Sequence, residues 1–348
     1  MIPDPIVAPA MYFEGTPLPS SNIHELAEKT VEEKKSQVAP SAEACPLCGG
    51  YQWTAIRTYS MQSIGRYWKT LGYQLEHEHK NLPSELVERR CLHCGLHFFD
   101  PCLTGTSNLY ERLATVPWYY ASHKWEFDEA LKFLAAQPPM RVLEIGCGHG
   151  DFLKQARRFS AEVTGLEFSK KALEACRARG LNVVLGSVEA LEQPVDIIFA
   201  FQVLEHVENP GKVVGEWIEH IVPGGYLVVA VPNQDGALGQ VHDNHLNLPP
   251  HHTSLWEEQS LRFIAERFAL EMTCYLREPL SLDLYATYTQ SLLRQTHARP
   301  GILGKISRLL VSHVHRGLIP YFYETAAQRL SGHTHMAIYR KPKLQEFG

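Results

Sequence analysis

The chain has 348 residues, of which 45% are hydrophobic and 20% charged, an ordinary globular composition that excludes a disordered chain, a collagen-like fibre and a coiled-coil rod. At roughly 100–200 residues per domain, the length predicts two domains or one large domain with additions. Lysine and arginine total 33 against 38 aspartates and glutamates, a formal charge of −5, which disfavours a nucleic-acid partner that would require a basic surface.

Residues 1–44 read as an extension. Its first 22 residues hold five prolines and no lysine or arginine, which is not the pattern of a secretion signal. A short charged helix is predicted over Asn22–Gln37. No apolar run approaches the roughly 18 residues of a membrane span, so a soluble, cytoplasmic protein with no membrane partner is expected. Residues 45–100 form a block bracketed by two cysteine pairs. Residues 101–137 look like a helical linker or cap rich in aromatics, including Tyr110, Trp118, Tyr119 and Tyr120.

From residue 138 to 348 the texture changes to alternating strands and helices. Strands are predicted over Arg141–Ile145, Glu162–Leu166, Asn182–Leu185, Val195–Phe201, Tyr226–Val231, Glu271–Leu276 and His335–Arg340. Helices are predicted over Asp151–Phe159, Ser169–Arg179, Pro210–Ile221 and Thr253–Ala269. Val195–Phe201 is nearly all apolar, as a strand buried on both faces should be. The alternation indicates βαβ units and an α/β fold with a parallel sheet. Residues 279–332 interrupt it with two helical stretches, Ser281–Gln295 and Ile302–His315. This insertion either covers a site or adds packing surface.

Two motifs carry chemistry. Cys45-Pro-Leu-Cys48 and Cys91-Leu-His-Cys94 are matching turns separated by 42 residues. Thiolates in such a turn can both reach one metal, and two turns complete a tetrahedron of sulfurs, the closed arrangement of structural zinc. Disulfides are disfavoured in a cytoplasmic chain. His93 and His97 lie nearby and are expected at the surface.

The second motif is Leu143-Glu144-Ile145-Gly146-Cys147-Gly148-His149-Gly150, which ends a strand and opens a helix. Gly146 and Gly148 allow a close approach that a side chain would block. Glu167 ends the next strand 21 residues after Gly146, where a carboxylate can accept hydrogen bonds from both hydroxyls of a ribose. A nicotinamide dinucleotide requires its third glycine further along, and Glu144 beside the loop would repel a pyrophosphate. An ammonium suits Glu144 better. S-adenosylmethionine carries that ammonium and a ribose, and no phosphate.

At these residues the chain resembles the class I S-adenosylmethionine-dependent methyltransferases. The first motif is Leu143 to Gly150, the second Gly165-Leu166-Glu167-Phe168-Ser169, and later ones Val203-Leu204-Glu205-His206-Val207 and Pro223-Gly224-Gly225. The resemblance implies a Rossmann-like, seven-stranded sheet with the cofactor across the carboxyl ends of its first strands. Gly146 and Gly148 would lie under the methionine and ribose, with Glu167 on the ribose hydroxyls and Phe168 on the adenine. Ser187 stands where the family often has an aspartate for the adenine amine, so that contact falls to Ser187 or the Val188 backbone. Glu144 and Gln202 complete the expected cofactor-binding set.

A four-cysteine block, an aromatic linker and a class I domain together resemble bacterial sugar C-methyltransferases and related small-molecule enzymes. That arrangement implies a small zinc-ribbon-like N-terminal domain and methyl transfer to a sugar or natural-product intermediate. His206 and His252 match histidines of that group, and Tyr120 lies where the group presents a tyrosine to the acceptor. His251 falls where the group more often has glutamate. Competing readings are a non-catalytic cofactor-binding partner subunit and a metal-dependent O-methyltransferase. The latter binds a divalent metal through Glu-x-x-Glu-His, and here Gln202 replaces the first carboxylate of Gln202-Val203-Leu204-Glu205-His206. With one hard oxygen ligand missing, metal-free chemistry is expected. His242, Asp243 and His245 are the residues available to compensate. The sequence carries no sign of oligomeric state.

Overall fold

The computed structural model describes residues 44–114, 116, 119, 122–241, 244–297 and 320–343. The predicted helices over Asn22–Gln37 and Ile302–His315, and Trp118, Tyr120, His242 and Asp243, lie outside the described residues. Among the described residues, no helix is long and apolar enough to cross a membrane.

The N-terminal part builds β1 (Trp53–Ser60), α1 (Met61–Thr70), α2 (Leu75–Glu78), β2 (Glu85–Cys91) and β3 (His97–Asp100). The three strands form an antiparallel sheet, β1 on β2 and β2 on β3. The helical segment between β1 and β2 has its own core. Met61, Ile64, Trp68, Leu75 and Leu86 are buried there with Phe99. In α1, Ile64 and Trp68 stand four residues apart and so share one face.

After α3 (Ser107–Leu113) and α4 (Trp125–Ala135) the main sheet begins. It comprises β4 (Val142–Ile145), β5 (Val163–Glu167), β6 (Val183–Leu185), β7 (Val195–Phe201) and β8 (Ile221–Pro232). The intervening helices are α5 (Asp151–Ala156), α6 (Lys170–Ala178) and α7 (Pro210–Glu219). Beyond β8 come β9 (Ser254–Leu255), α8 (Glu258–Arg267), β10 (Glu271–Pro279), α9 (Leu282–His297) and β11 (Ser331–Arg340). The seven-stranded order is β10-β11-β8-β7-β4-β5-β6, with β11 antiparallel to both neighbours and the central strands parallel. This is the expected class I arrangement. The chain leaves β4 first toward β5 and later toward β7, so the strand order reverses between β4 and β7. A crevice at the carboxyl ends of such strands is where α/β sheets bind ligands.

Both faces of the sheet are covered. Phe127, Phe152 and Leu173 bury one face against Phe199 and Val228. The other face packs α7 and α8, through Trp217, Leu261 and Ile264, against Ile198 and Val229. Cys45, Leu47, Cys91 and Cys94 belong to that same apolar cluster. The cysteine block therefore shares a core with the sheet's flanking helices.

Two expectations are corrected. The helix predicted from Thr253 begins only at Glu258, because Ser254 and Leu255 pair antiparallel with Phe98 and His97 instead. The block's sheet thus has a fourth strand from the C-terminal part, in the order β1-β2-β3-β9. His97, expected at the surface, is 5% exposed. One ring nitrogen meets Glu88 at 2.7 Å and the other Glu257 at 2.9 Å. Arg90 donates to both oxygens of Glu257, at 2.8 and 2.5 Å.

Against the cost of burial, His97 and Arg90 bring the Glu257 carboxyl down to about 2. A depressed carboxyl stabilises the fold above its ordinary range and loses that contribution as pH falls toward 2. Glu257→Gln is expected to cost ~1.5–3 kcal/mol at neutral pH, the worth of hydrogen bonds to a charged group. Urea midpoints measured at pH 7 and pH 4 should show the gap between variant and wild type narrowing in acid.

Candidate functional site

The cysteine turns face each other. Backbone bonds close each one: Gly49 N–H donates to Cys45 O at 2.8 Å, and Gly95 N–H to Cys91 O at 3.1 Å. Gly49 and Gly95 sit at φ of 76° and 75°, a left-handed conformation that glycine adopts at least cost. Cys45 and Cys94 sulfurs are 3.6 Å apart, and Cys48 and Cys91 sulfurs 3.5 Å. All four lie within 4.8 Å of one another. A tetrahedral ion with metal–sulfur bonds near 2.3 Å requires sulfurs about 3.8 Å apart, so the quartet has the size of such a site. The sulfurs share protons unevenly. Contacts with Cys45 pull Cys48 down and Cys91 down to about 6, while contact with Cys48 pushes Cys45 up.

The glycine loop follows β4. Gly146 has φ 68°, and a Cβ there would stand 2.8 Å from a Val203 methyl. The loop is therefore packed directly on the segment after β7. Glu167, at the end of β5, is 8% exposed. Its Oε2 accepts from Gly148 N–H at 2.8 Å, and its Oε1 from Phe168 N–H at 2.7 Å and Ser169 N–H at 2.8 Å. These three donors fix the carboxylate at the loop, with lone pairs left to accept from a ligand. Phe168 beside it is 70% exposed, an apolar ring held at the crevice. Ser187 donates to Glu189, and Val188 is buried beneath it.

Glu144 is 3% exposed, and its Oε2 has no hydrogen-bond partner. Burial, followed by Glu167 and Asp151 and opposed by Lys124, pushes its carboxyl well above the ordinary range. Gln202 takes φ 56° where the chain leaves β7 and donates to Glu126 at 3.2 Å.

The two predicted histidines lie together. His206 and His252 rings are 4.9 Å apart, and His251 completes a triangle with them at 4.6 and 4.4 Å. The clamp that joins their segments is Thr253. Its N–H donates to Glu205 O at 2.7 Å and its hydroxyl to Val207 O at 2.7 Å. His206 Nδ1 donates to His251 O at 2.7 Å, leaving the lone pair on Nε2. His251 Nδ1 donates to Leu246 O at 2.8 Å, and its Nε2 accepts from the Tyr119 hydroxyl at 3.1 Å. His251 and His252 are each 5% exposed, whereas the His206 side chain retains 18%. His206 is thus the ring open to the crevice, edge-on to Tyr110 at 5.6 Å.

In the sequence Glu205 stands out only as a carboxylate of the metal-dependent reading, and His251 only as a departure from the glutamate of the related group. Glu205 is 1% exposed, neither carboxyl oxygen has a hydrogen-bond partner, and Oε1 lies 3.9 Å from His206 Nε2. The adjacent histidine was the available signal. Burial pushes the Glu205 carboxyl up to about 8. Burial brings His206 down to about 4, with the His251 carbonyl opposing.

Residues 118–275 match a family model described as a methyltransferase domain. The chain is similar to the "Ubiquinone biosynthesis O-methyltransferase" of Proteus mirabilis, 29% identical over 33% of this chain and 57% of that protein. It is also similar to the protein of the same name from Alkalilimnicola ehrlichii, 29% identical over 43% of this chain and 66% of that one. The chain thus spans between 43% and 66% of the length of the curated relatives it matches. Among solved structures, magnesium protoporphyrin IX methyltransferase from Synechocystis, with bound SAH, aligns at 12% identity and TM-score 0.43, over 63% of this chain and 84% of that one.

The buried titratable groups set opposite slopes on stability. His206 and His333 at about 4, and His335 at about 3, all held down first by burial, protonate more readily unfolded than folded. Stability therefore falls as pH drops from about 6.5 toward 4. Glu205 works the other way: its folded value is raised, so its contribution is present below the unfolded value and is lost as pH rises toward 8. Thermal melts from pH 5 to 9 should peak between these limits, and Glu205→Gln should flatten the alkaline side and steepen the acid side, where the Glu205 slope opposes that of the histidines.

Proposed function

We propose that this chain, whose residues 118–275 match a methyltransferase-domain model, transfers a methyl group from S-adenosylmethionine to a small-molecule acceptor. One observation carries the reading: an anchored Glu167, a partnerless Glu144 oxygen and a histidine with an open Nε2 lie at or just after the carboxyl ends of three adjacent parallel strands, β5, β4 and β7.

S-adenosylmethionine, when bound, supplies a methyl group on a sulfonium. On this reading Glu167 takes the ribose hydroxyls, Gly146 and Gly148 leave room for the backbone approach, and Phe168 packs on the adenine. Ser187 or the Val188 N–H meets the adenine amine, and Gln202 borders the methionine part. Glu144 faces the ammonium, which supplies the charge that buried carboxylate lacks.

His206 receives the acceptor's proton at Nε2, with Nδ1–H on the His251 carbonyl setting the ring. A value near 4 keeps the ring unprotonated at neutral pH, though a weak base. A weak base suffices for a hydroxyl, because the oxygen becomes strongly acidic only as the new bond forms. His252 packs against His206 and supports its orientation. Tyr120, assigned to orient the acceptor by resemblance, keeps that role as a proposal. The acceptor class put forward is a sugar or natural-product intermediate. The similarity to O-methyltransferases favours an oxygen acceptor, and a hydroxyl-bearing sugar or natural-product intermediate accommodates both. The cysteine quartet is read as a structural zinc site, since four thiolates leave no open position for chemistry. The acceptor is not a nucleic acid on this reading, and the enzyme works in the cytoplasm.

Two measurements test this. Glu167→Ala is expected to weaken S-adenosylmethionine binding by ~1.5–3 kcal/mol, and calorimetry showing unchanged affinity would reassign that acid. His206→Ala is expected to lower turnover ~10²–10⁴-fold with cofactor affinity unchanged, read by labelled-methyl transfer to a panel of hydroxylated acceptors.

The metal reading has its own check. Purified protein is expected to contain about one zinc per chain, and Cys48→Ser to lose it together with the fold of the 45–100 block. Elemental analysis that finds no metal in the wild type would sink the zinc assignment.

A further inference from the structure

A polar cavity lies on the seam between the cysteine block and the sheet domain, and shares no lining residue with the glycine loop or the histidine trio. It encloses about 60 Å³, room for a few waters or one oxyanion. One wall is the sheet of the block, with Arg57, Tyr59 and Glu88. The other is the β8–β9 connection, with Asn244, Asn247 and Leu248. A bulge in β1 aims the first wall. Trp53 and Ala55 pair with Cys91 and Arg89 of β2, but Arg57 and Tyr59 pair with Glu88 and Leu86, so Ile56 is an extra residue. One inserted residue reverses the alternation, because side chains change face with period two. Arg57 and Tyr59 therefore share the face of Glu88, where an unbroken strand would turn them to the opposite face with Trp53.

The charges on that face do not cancel. Glu88 accepts from the Tyr59 hydroxyl at 2.8 Å and from His97 at 2.7 Å. The other His97 nitrogen meets Glu257 at 2.9 Å, and Glu257 also takes Arg90. A ring with a carboxylate on each nitrogen carries both hydrogens and is a cation. His97 and Arg90 thus match Glu88 and Glu257, and Arg57 is left over. Its guanidinium stands 5.8 Å from the Tyr59 ring centre and forms no ion pair among the described residues. Asn247 is buried, and neither its side-chain amide nor that of Asn244 is hydrogen-bonded among the described residues.

We propose that this cavity binds a small oxyanion, a phosphate or carboxylate group, with Arg57 as its charge partner and the Asn244 and Asn247 amides as further donors. A guanidinium presents paired N–H groups to such an anion, and Arg57 is half-buried, where the attraction is screened less than in bulk water. The amides donate without bringing a charge. A bound anion also steadies the histidine turn from behind. The Leu248 carbonyl, in the cavity wall, accepts from His251 N–H at 3.1 Å and from His252 N–H at 3.3 Å. The anion is either free or borne by the methyl acceptor, and the second case rests on the proposed methyl transfer.

The test titrates inorganic phosphate into the full chain, followed by phosphorus NMR. Saturable binding in the millimolar range at one site per chain is expected, weakened about tenfold or more in Arg57→Gln. Asn244→Asp, which places a carboxylate in the cavity and leaves β1 untouched, should weaken it as much and reads the site if the first variant fails to fold. Hydrogen exchange of the His251 and His252 amides should slow when phosphate binds. Absence of saturable binding, or affinity unchanged in both variants, overturns the site. Exchange unaltered by bound phosphate overturns the link to the histidine turn. The source is read on an acceptor methylated in the hydroxylated panel. Phosphate that competes with it, together with a raised KM and unchanged kcat in Arg57→Gln, assigns the anion to the acceptor, and any other response assigns it to a free anion. Absence of methyl transfer in the wild type counts against the proposed function, with the phosphate titration still reading the site.

Discussion

The pairing of β3 with β9 ties the cysteine block to the segment that carries the histidines. It joins His97 and Phe98 to Leu255 and Ser254, residues more than 150 positions later in the chain. The residues just before β9 are His251, His252 and Thr253, and Thr253 grips the carbonyls of Glu205 and Val207. A line of backbone bonds thus runs from the cysteine turns through β3 and β9 to the segment that carries His206. Loosening the cysteines would release the histidines without touching them, because position along a strand is inherited from its partner strand.

The interior around those histidines is poorly matched to its apolar surroundings. Glu144, Glu205 and His252 each bury a polar atom with no partner, at ~1–3 kcal/mol apiece. The sheet can tolerate this because both of its faces are closed by large side chains such as Phe152, Phe199 and Trp217. Such a set of mismatches in an otherwise well-packed core marks the place where ligand atoms complete the pairing.

Much of this was readable in the sequence. The parallel strands announce themselves as short apolar runs between glycine and proline turns, and Val195–Phe201 matches the observed strand at both ends. The glycine loop and Glu167 were legible because their spacing is local. What was missed depends on contacts between distant residues. Ser254 and Leu255 are too short a segment to show an alternation, and they extend only because β3 offers a free edge. His97 looks like a surface residue until Glu257, 160 positions away, is brought against it. Glu205 is legible as a motif residue beside His206, but the enclosure of both its oxygens is not, since it depends on tertiary packing. His251 was visible beside His252, but its place against the His206 ring follows from the Thr253 clamp.

One contact bears on how related chains can diverge. Gly211, in the first turn of α7, donates its N–H to Pro46 O at 3.1 Å, and a Cβ there would stand 2.5 Å from Leu47 O. The helix that connects β7 to β8 therefore touches the backbone of the first cysteine turn, with no gap for a methyl group. In chains that keep the cysteine block, this position is confined to glycine. In chains that lack the block, the restriction lifts and alanine or a larger residue favours the helix. Glycine here should accordingly be gained and lost together with the four cysteines across a lineage, a covariation between a residue with no side chain and a module whose nearest cysteine lies 117 positions earlier in the chain.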